Sequence, residues 1–167
     1  MKTACRAISL TALIGALGLA AACGPDGPEV PETPDGFERQ SAEGVTYAVP
    51  SDFATDRAQV DVMLAGETVD SAAAVGGTAQ AEIKLETGLE YIDKDWEYEV
   101  PGVPEAERYD YTYEYTGGEA GIETVRGTDI ALKLEDGSGV LFRLTGDQAY
   151  LEDELVTQIT ESLHAGE

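Results

Sequence analysis

From Phe37 onward, apolar and polar residues alternate with a period of two, the spacing of a β-strand with one face buried. Val45, Tyr47 and Val49 face one way and Thr46 and Ala48 the other, before Pro50 ends the run. The same pattern predicts strands at Val60-Val62-Leu64, at Ile83-Leu85 against Glu82, Lys84 and Glu86, and at Trp96-Tyr98-Val100 against Asp95, Glu97 and Glu99. Three further strands follow: Tyr109 to Thr116, Ile122 to Glu135, and the run through Val140, Phe142 and Leu144. The last two are joined by Glu135-Asp136-Gly137-Ser138-Gly139, residues that tolerate the positive φ of a hairpin loop. Residues 65 to 79 alternate poorly and carry Gly66, Gly76 and Gly77, so they read mostly as loop with a short helix around Val69 to Ala74. Asp147 to His164 is predicted helical, because Leu151, Leu155, Ile159 and Leu163 recur every four residues as one apolar stripe. Asp147 caps its start, Glu152 to Glu154 suit the positive end of the helix dipole, and His164 and Gly166 stand at its exit. Strands with one apolar face and a helix with one apolar stripe predict an α+β domain, an antiparallel sheet covered by helix.

The start of the chain has a different character. Residues 1 to 22 have the three parts of an export signal: Lys2 and Arg6, an uncharged run from Ala7 to Ala22, and small residues at the end. That run has 16 residues and leads into Gly24, Pro25 and Asp26, whereas a membrane span needs about 20. Residues 24 to 36, GPDGPEVPETPDG, hold too little apolar surface to fold and are expected to form a disordered acidic tether, reaching roughly 40 Å if extended as polyproline II. This leaves residues 37 to 167 as a single domain. Leu19-Ala20-Ala21-Ala22-Cys23-Gly24 resembles the lipobox of bacterial lipoproteins, in which the cysteine receives diacylglycerol and becomes the mature N-terminus. Ala20-x-Ala22 also suits the ordinary signal peptidase. Lipid on Cys23 is favoured because an exported protein would otherwise carry one unpaired thiol, Cys5 leaving with the signal. The expected location is the extracytoplasmic face of the cell membrane, anchored through Cys23.

Charge narrows the list of partners. The chain has 10 Lys+Arg against 33 Asp+Glu, a net charge of −23, and loss of Lys2 and Arg6 takes it to −25. Nucleic acid is thereby excluded, since phosphate binding needs a basic surface.

The segment from Tyr98 to Leu163 resembles the PsbP-like domain family, exported α/β/α sandwiches that include actinobacterial lipoproteins of the LpqN type. The resemblance is carried by VPGVPEAERYDYTY (100 to 113), by GTDIALKLEDGSGVLFRLTG (127 to 146), and by Ile159, Ser162 and Leu163 at the close of the final helix. VPSDF (49 to 53) adds to it, with Phe53 where Trp is commoner. It implies a membrane-associated binding or assembly role without catalysis and supplies no fixed active site. A helix-grip fold, a long C-terminal helix across a curved sheet, fits the same order of elements.

Candidate chemistry is sparse. His164 is the one histidine and lies three residues from the end, where a catalytic triad would find little to orient it. Cys23 is the one mature cysteine, so zinc and redox-thiol sites lack ligands, and no metal site or cofactor is expected. Gly76-Gly77 and Gly117-Gly118 lack phosphate-loop spacing and read as turns. Glu152, Asp153 and Glu154 fan out by about 100° each on a helix. Asp93 and Asp95 would lie about 6.5 Å apart on one strand face, beside a competing Lys94. The most informative feature is Arg108-Tyr109-Asp110-Tyr111-Thr112-Tyr113-Glu114-Tyr115-Thr116, which puts four tyrosines on one strand face. These are core under a helix, with Tyr111 and Tyr113 buried and an end residue partly exposed, or a recognition surface extended by Trp96 and Tyr98. The expected function is a non-enzymatic binding or assembly module for a protein or small ligand, with Tyr109, Tyr111, Tyr113, Tyr115, Trp96 and Tyr98 as candidate site. The alternatives are an acidic spacer or a hydrolase using a carboxylate pair.

Overall fold

The computed structural model of the chain describes residues 30–118 and 121–166. The predicted signal, Cys23 and residues 24 to 29 of the predicted tether lie outside the described residues. Strands β1 (Phe37–Ala42) and β2 (Val45–Pro50) form a hairpin, and β3 (Ala58–Gly66) leads to helix α1 (Ala72–Ile83). Then come β4 (Thr87–Asp95), β5 (Glu105–Gly118), β6 (Gly121–Lys133) and β7 (Gly139–Asp147), followed by helix α2 (Asp153–Glu161) and a short β8 (His164–Ala165). Five strands make an antiparallel sheet in the order β3-β7-β6-β5-β4, and β1-β2-β8 make a smaller one.

Alternation along β6 and β7 divides the core into two layers. Ile130, Leu132, Val140, Phe142 and Leu144 point to one face and pack with Val45, Tyr47 and Val49 of β2 and with Val156 and Ile159 of α2. Ala131 and Leu141 point to the other face and meet Val75 and Ala79 of α1 together with Tyr109. The large sheet is therefore sandwiched, α1 on one side and α2 with the small sheet on the other. Ser162 ties the second layer down, accepting from the Ala48 backbone N–H at 2.7 Å and donating to the Ile159 carbonyl at 2.7 Å.

Four sequence expectations are corrected. Ile83-Leu85 is not a strand: Ile83 closes α1, in which Ala72, Val75, Ala79 and Ile83 are the buried face and the Ser71 side chain caps the N-terminus. Of the predicted loop over residues 65 to 79, only 67–71 is loop: Ala65 and Gly66 end β3, and the short helix expected around Val69 to Ala74 is instead the start of this 12-residue helix. Gly76 disguised it, because that glycine serves packing rather than turning. A Cβ there would stand 2.6 Å from the Tyr109 hydroxyl oxygen. Trp96-Tyr98-Val100 is not a strand: the Asp95 carboxylate accepts the Glu97 N–H at 3.0 Å, Trp96 and Glu97 form a turn, and the chain leaves the ladder after β4. The C-terminal helix covers only Asp153–Glu161. Asp147 ends β7, accepting the Ala149 N–H and pairing with Arg57, and the Tyr150 and Leu151 N–H groups return to its carbonyl as a turn. Leu151 and Leu163 are buried as foreseen, one on each side of the helix. His164 is buried too, in β8 opposite Thr46.

The neighbouring glycines of α1 give a paired test. Gly76→Ala collides with a buried ring and is expected to lower stability by about 1–2 kcal/mol, overpacking outweighing the helix-propensity gain. Gly77 has open space around its missing Cβ. Gly77→Ala should raise stability by roughly 0.5–1 kcal/mol. Urea unfolding of the two variants checks both signs.

Candidate binding cleft at the end of the large sheet

The chain between β4 and β5 is shaped by its own residues. Val103 N–H returns to the Val100 carbonyl at 3.0 Å across Pro101-Gly102, with Gly102 at φ +76°, a type II turn with proline and glycine at the positions such a turn favours. The Pro101 carbonyl accepts the Ala165 N–H, fastening this loop to β8. Between the loop, the first turn of α1 and the last turn of α2 lies an open cleft of about 1160 Å³. Trp96, Tyr98 and Val100 line one wall, Ser71 to Ala73 a second, and Thr160, Glu161 and Leu163 a third. Glu105, Ala106 and Glu107 of β5 also line it.

Trp96, the one tryptophan, is 57% exposed. Its ring is nonetheless positioned, standing at 84° to the Tyr109 ring with centroids 5.5 Å apart. The Tyr109 hydroxyl donates to the Glu107 carboxylate, both groups being buried at the cleft wall. Tyr98 is half-buried under the Arg108 guanidinium, 5.4 Å from its ring centroid, and Arg108 is gripped by both oxygens of Asp110 at 2.7 and 3.1 Å. Glu105 accepts from Lys133 at 3.0 Å and from the Ala72 N–H at 3.3 Å. The hydrogen bond from Lys133, with the Ala72 N–H second, holds its carboxyl below the usual range.

The six aromatic candidates are not brought together as one surface. Tyr109 and Tyr111 are 1% and 0% exposed, Tyr113 is intermediate and Tyr115 is 49% exposed. The gradient runs along the strand rather than outward from its centre, contrary to the expectation for Tyr113, because α1 starts over the Glu105 end. Twelve helical residues reach about 18 Å, roughly five strand residues, which covers Tyr109, while Tyr111 is buried over Gly127 of β6, where a Cβ would stand 2.3 Å from its ring. Tyr115 lies past that shelter. Trp96 and Tyr98 are at the opposite end, in the cleft.

Sequence reasoning missed a buried charged pair beneath α1. Asp129, 0% exposed, accepts from Arg143 Nε and Nη2, each at 2.8 Å, and from the Tyr111 hydroxyl at 3.1 Å. A signal existed: Asp129 and Arg143 interrupt the apolar runs of β6 and β7 at directly opposed positions of the hairpin. Glu107 was also missed, hidden in the alternation of acids along β5. Among the described residues no cluster of three metal-type ligands occurs, and no helix is long and apolar enough to cross a membrane.

No protein-family model and no curated protein sequence matches the chain. Solved structures resemble it distantly. LpqN, involved in cell envelope biogenesis of Mycobacterium tuberculosis, is 15% identical with a TM-score of 0.49 over 87% of this chain and 88% of LpqN. The Saccharomyces cerevisiae Ran-binding protein Mog1p is 15% identical with a TM-score of 0.42 over 79% of this chain and 87% of its own. PA94 of Pseudomonas aeruginosa, of unknown function, is 12% identical with a TM-score of 0.38 over 69% and 85%.

Burial raises the pKa of the Tyr111 phenol, with the Asp129 charge adding to it, and burial followed by the Glu107 hydrogen bond does the same for Tyr109. A folded-state pKa above the unfolded one means that stability is complete below about pH 10 and is lost as pH rises beyond it. Unfolding free energy should fall by about 1.4 kcal/mol per pH unit for each phenol kept protonated in the fold. Chemical denaturation at pH 9 to 11 tests this, and Tyr111→Phe should flatten the slope.

Proposed function

We propose that this protein is a non-enzymatic binding module of the PsbP-like, LpqN kind, held at the extracytoplasmic face of the membrane through lipid on Cys23, with the cleft around Trp96 as its ligand site. The observation that carries the reading is the placement of Trp96. A large apolar side chain is kept half in solvent at the wall of a cleft while its ring is fixed against buried Tyr109. Aromatic anchors held in advance lose little entropy when a ligand arrives, which is why Trp and Tyr dominate binding hot spots. Of the six aromatic candidates, Trp96 and Tyr98 belong to this site, while Tyr109 supports it from beneath. Tyr111 is core.

A carboxylate hydrolase needs one carboxyl raised to act as general acid. Glu105 in the cleft is shifted the other way by Lys133.

The anchor and the site are tested separately. Intact mass of the mature product should show diacylglycerol on Cys23, and Cys23→Ser should move the protein out of the membrane fraction or block its maturation; a lipid-free wild-type product cut after Ala22 would contradict the anchor. For the site, photo-reactive benzoylphenylalanine placed at Tyr98 should give a discrete cross-linked adduct on intact producing cells, and the adduct should disappear on adding Trp96→Ala. Absence of an adduct, or one indifferent to Trp96→Ala, removes the cleft as the ligand site.

A further inference from the structure

We infer that the occupant of the cleft is an extended, lysine- or arginine-rich segment of a protein partner. This deepens the binding-module reading and rests on it. The cleft is lined by Asp95, Glu97, Glu99, Glu105, Glu107 and Glu161, and no basic side chain lines it among the described residues. The cations closest to its walls are engaged: Lys133 with Glu105, Arg108 with Asp110, and Lys94 over the Tyr91 ring at 3.6 Å, with the Trp96 ring farther off at 5.9 Å. Negative potential in a concave site with low-dielectric walls is focused rather than dispersed.

Three further features select among cations. The exposed indole of Trp96 is the best side-chain partner for an ammonium or guanidinium group. The carboxylates are distributed along the walls, and no three of them converge as a metal cluster would, so they match several separated charges better than one ion. The cleft is open, and its volume of about 1160 Å³ exceeds the roughly 300–1,000 Å³ of small-molecule pockets, which suits a chain passing through. An anion is disfavoured even where α1 offers its N-terminus, because the Ser71 side chain and Glu105 already accept the first free N–H groups.

The test uses the single tryptophan as its reporter. Capped hexalysine titrated into the purified protein at low salt should shift Trp96 emission saturably, and calorimetry should give a dissociation constant that rises with NaCl. Glu97→Gln with Glu99→Gln should weaken binding about tenfold. Glu114→Gln with Glu123→Gln removes the same charge roughly 30 Å along β5 and its partner β6, and should weaken it by less than about twofold. Circular dichroism confirms that these exposed substitutions leave the fold intact. Equal loss from the two pairs would show diffuse attraction to an acidic surface and overturn the inference. So would hexalysine acetylated on its side chains binding as well, or spermine matching capped tetralysine at equal charge, which would point to a small polyamine. Failure of hexalysine to bind while the Tyr98 adduct persists overturns the cationic occupant alone. Loss of that adduct is the result that overturns the binding module itself.

Discussion

The ring of Tyr109 lies closed in between Gly76 of α1 and Trp96 of the β4–β5 loop, and much of the molecule depends on that arrangement. Without a Cβ at Gly76 the helix backbone can approach the sheet closely enough for Val75 and Ala79 to meet Ala131 and Leu141. The same ring gives Trp96 a surface to stand against, so one tyrosine sets both the spacing of a core layer and the wall of the cleft. Its hydroxyl needs an acceptor once buried, and Glu107 supplies one from two residues earlier on the same strand face. A buried carboxylate at the cleft is therefore part of the cost of seating the ring.

Charge is distributed with similar economy of means. Of the few cations, Arg57, Arg108, Arg126, Lys133 and Arg143 all make ion pairs within the fold. The Arg143–Asp129 and Arg108–Asp110 pairs are the most buried, and removing either partner of such a pair typically costs about 3–5 kcal/mol, whereas exposed pairs such as Arg57–Asp147 contribute roughly 0–1 kcal/mol. Because the basic groups are used internally, the acids outside these pairs meet no compensating charge. With only Arg39, Lys84 and Lys94 left outside these pairs among the described cations, the negative field of a chain with net charge −23 persists at the surface and is strongest where that surface is concave.

The strands were legible where one face of a sheet meets a core and the other does not. β2, β3, β5, β6 and β7 lie where alternation places them, and the β6–β7 hairpin turns at Gly137 with φ +87°. What failed was signal carried by packing between distant segments. Gly76 and Gly77 read as turn residues because the reason for Gly76, a tyrosine more than thirty residues later, is not local. Trp96-Tyr98-Val100 kept strand periodicity without strand pairing, because Trp96 sits exposed in the turn after β4 while Tyr98 and Val100 pack against the core. In the C-terminal helix the four-residue spacing was genuine, but Leu151 and Leu163 reach the core from the turns flanking nine helical residues. The six aromatic candidates do not form one surface, for the same reason: a strand face looks uniform in sequence, and the reach of α1 and the glycine opposite Tyr111 decide which tyrosines are covered.

The position of the cleft follows from those irregularities. A regular hairpin between β4 and β5 would have carried Trp96 into the ladder and closed the end of the sheet. Instead Asp95 ends β4 by capturing the Glu97 N–H, and the Pro101-Gly102 turn is fastened through the Pro101 carbonyl to β8 before the chain re-enters the sheet at Glu105. The opening is thus built from local turn chemistry at one end and from tertiary hydrogen bonding at the other. Its two chemical characters have different ranges. Carboxylate attraction acts over about 8–10 Å at ordinary ionic strength, whereas the indole acts only on contact. On the proposed reading, charge would gather and orient an approaching partner, and Trp96 would set how long it stays.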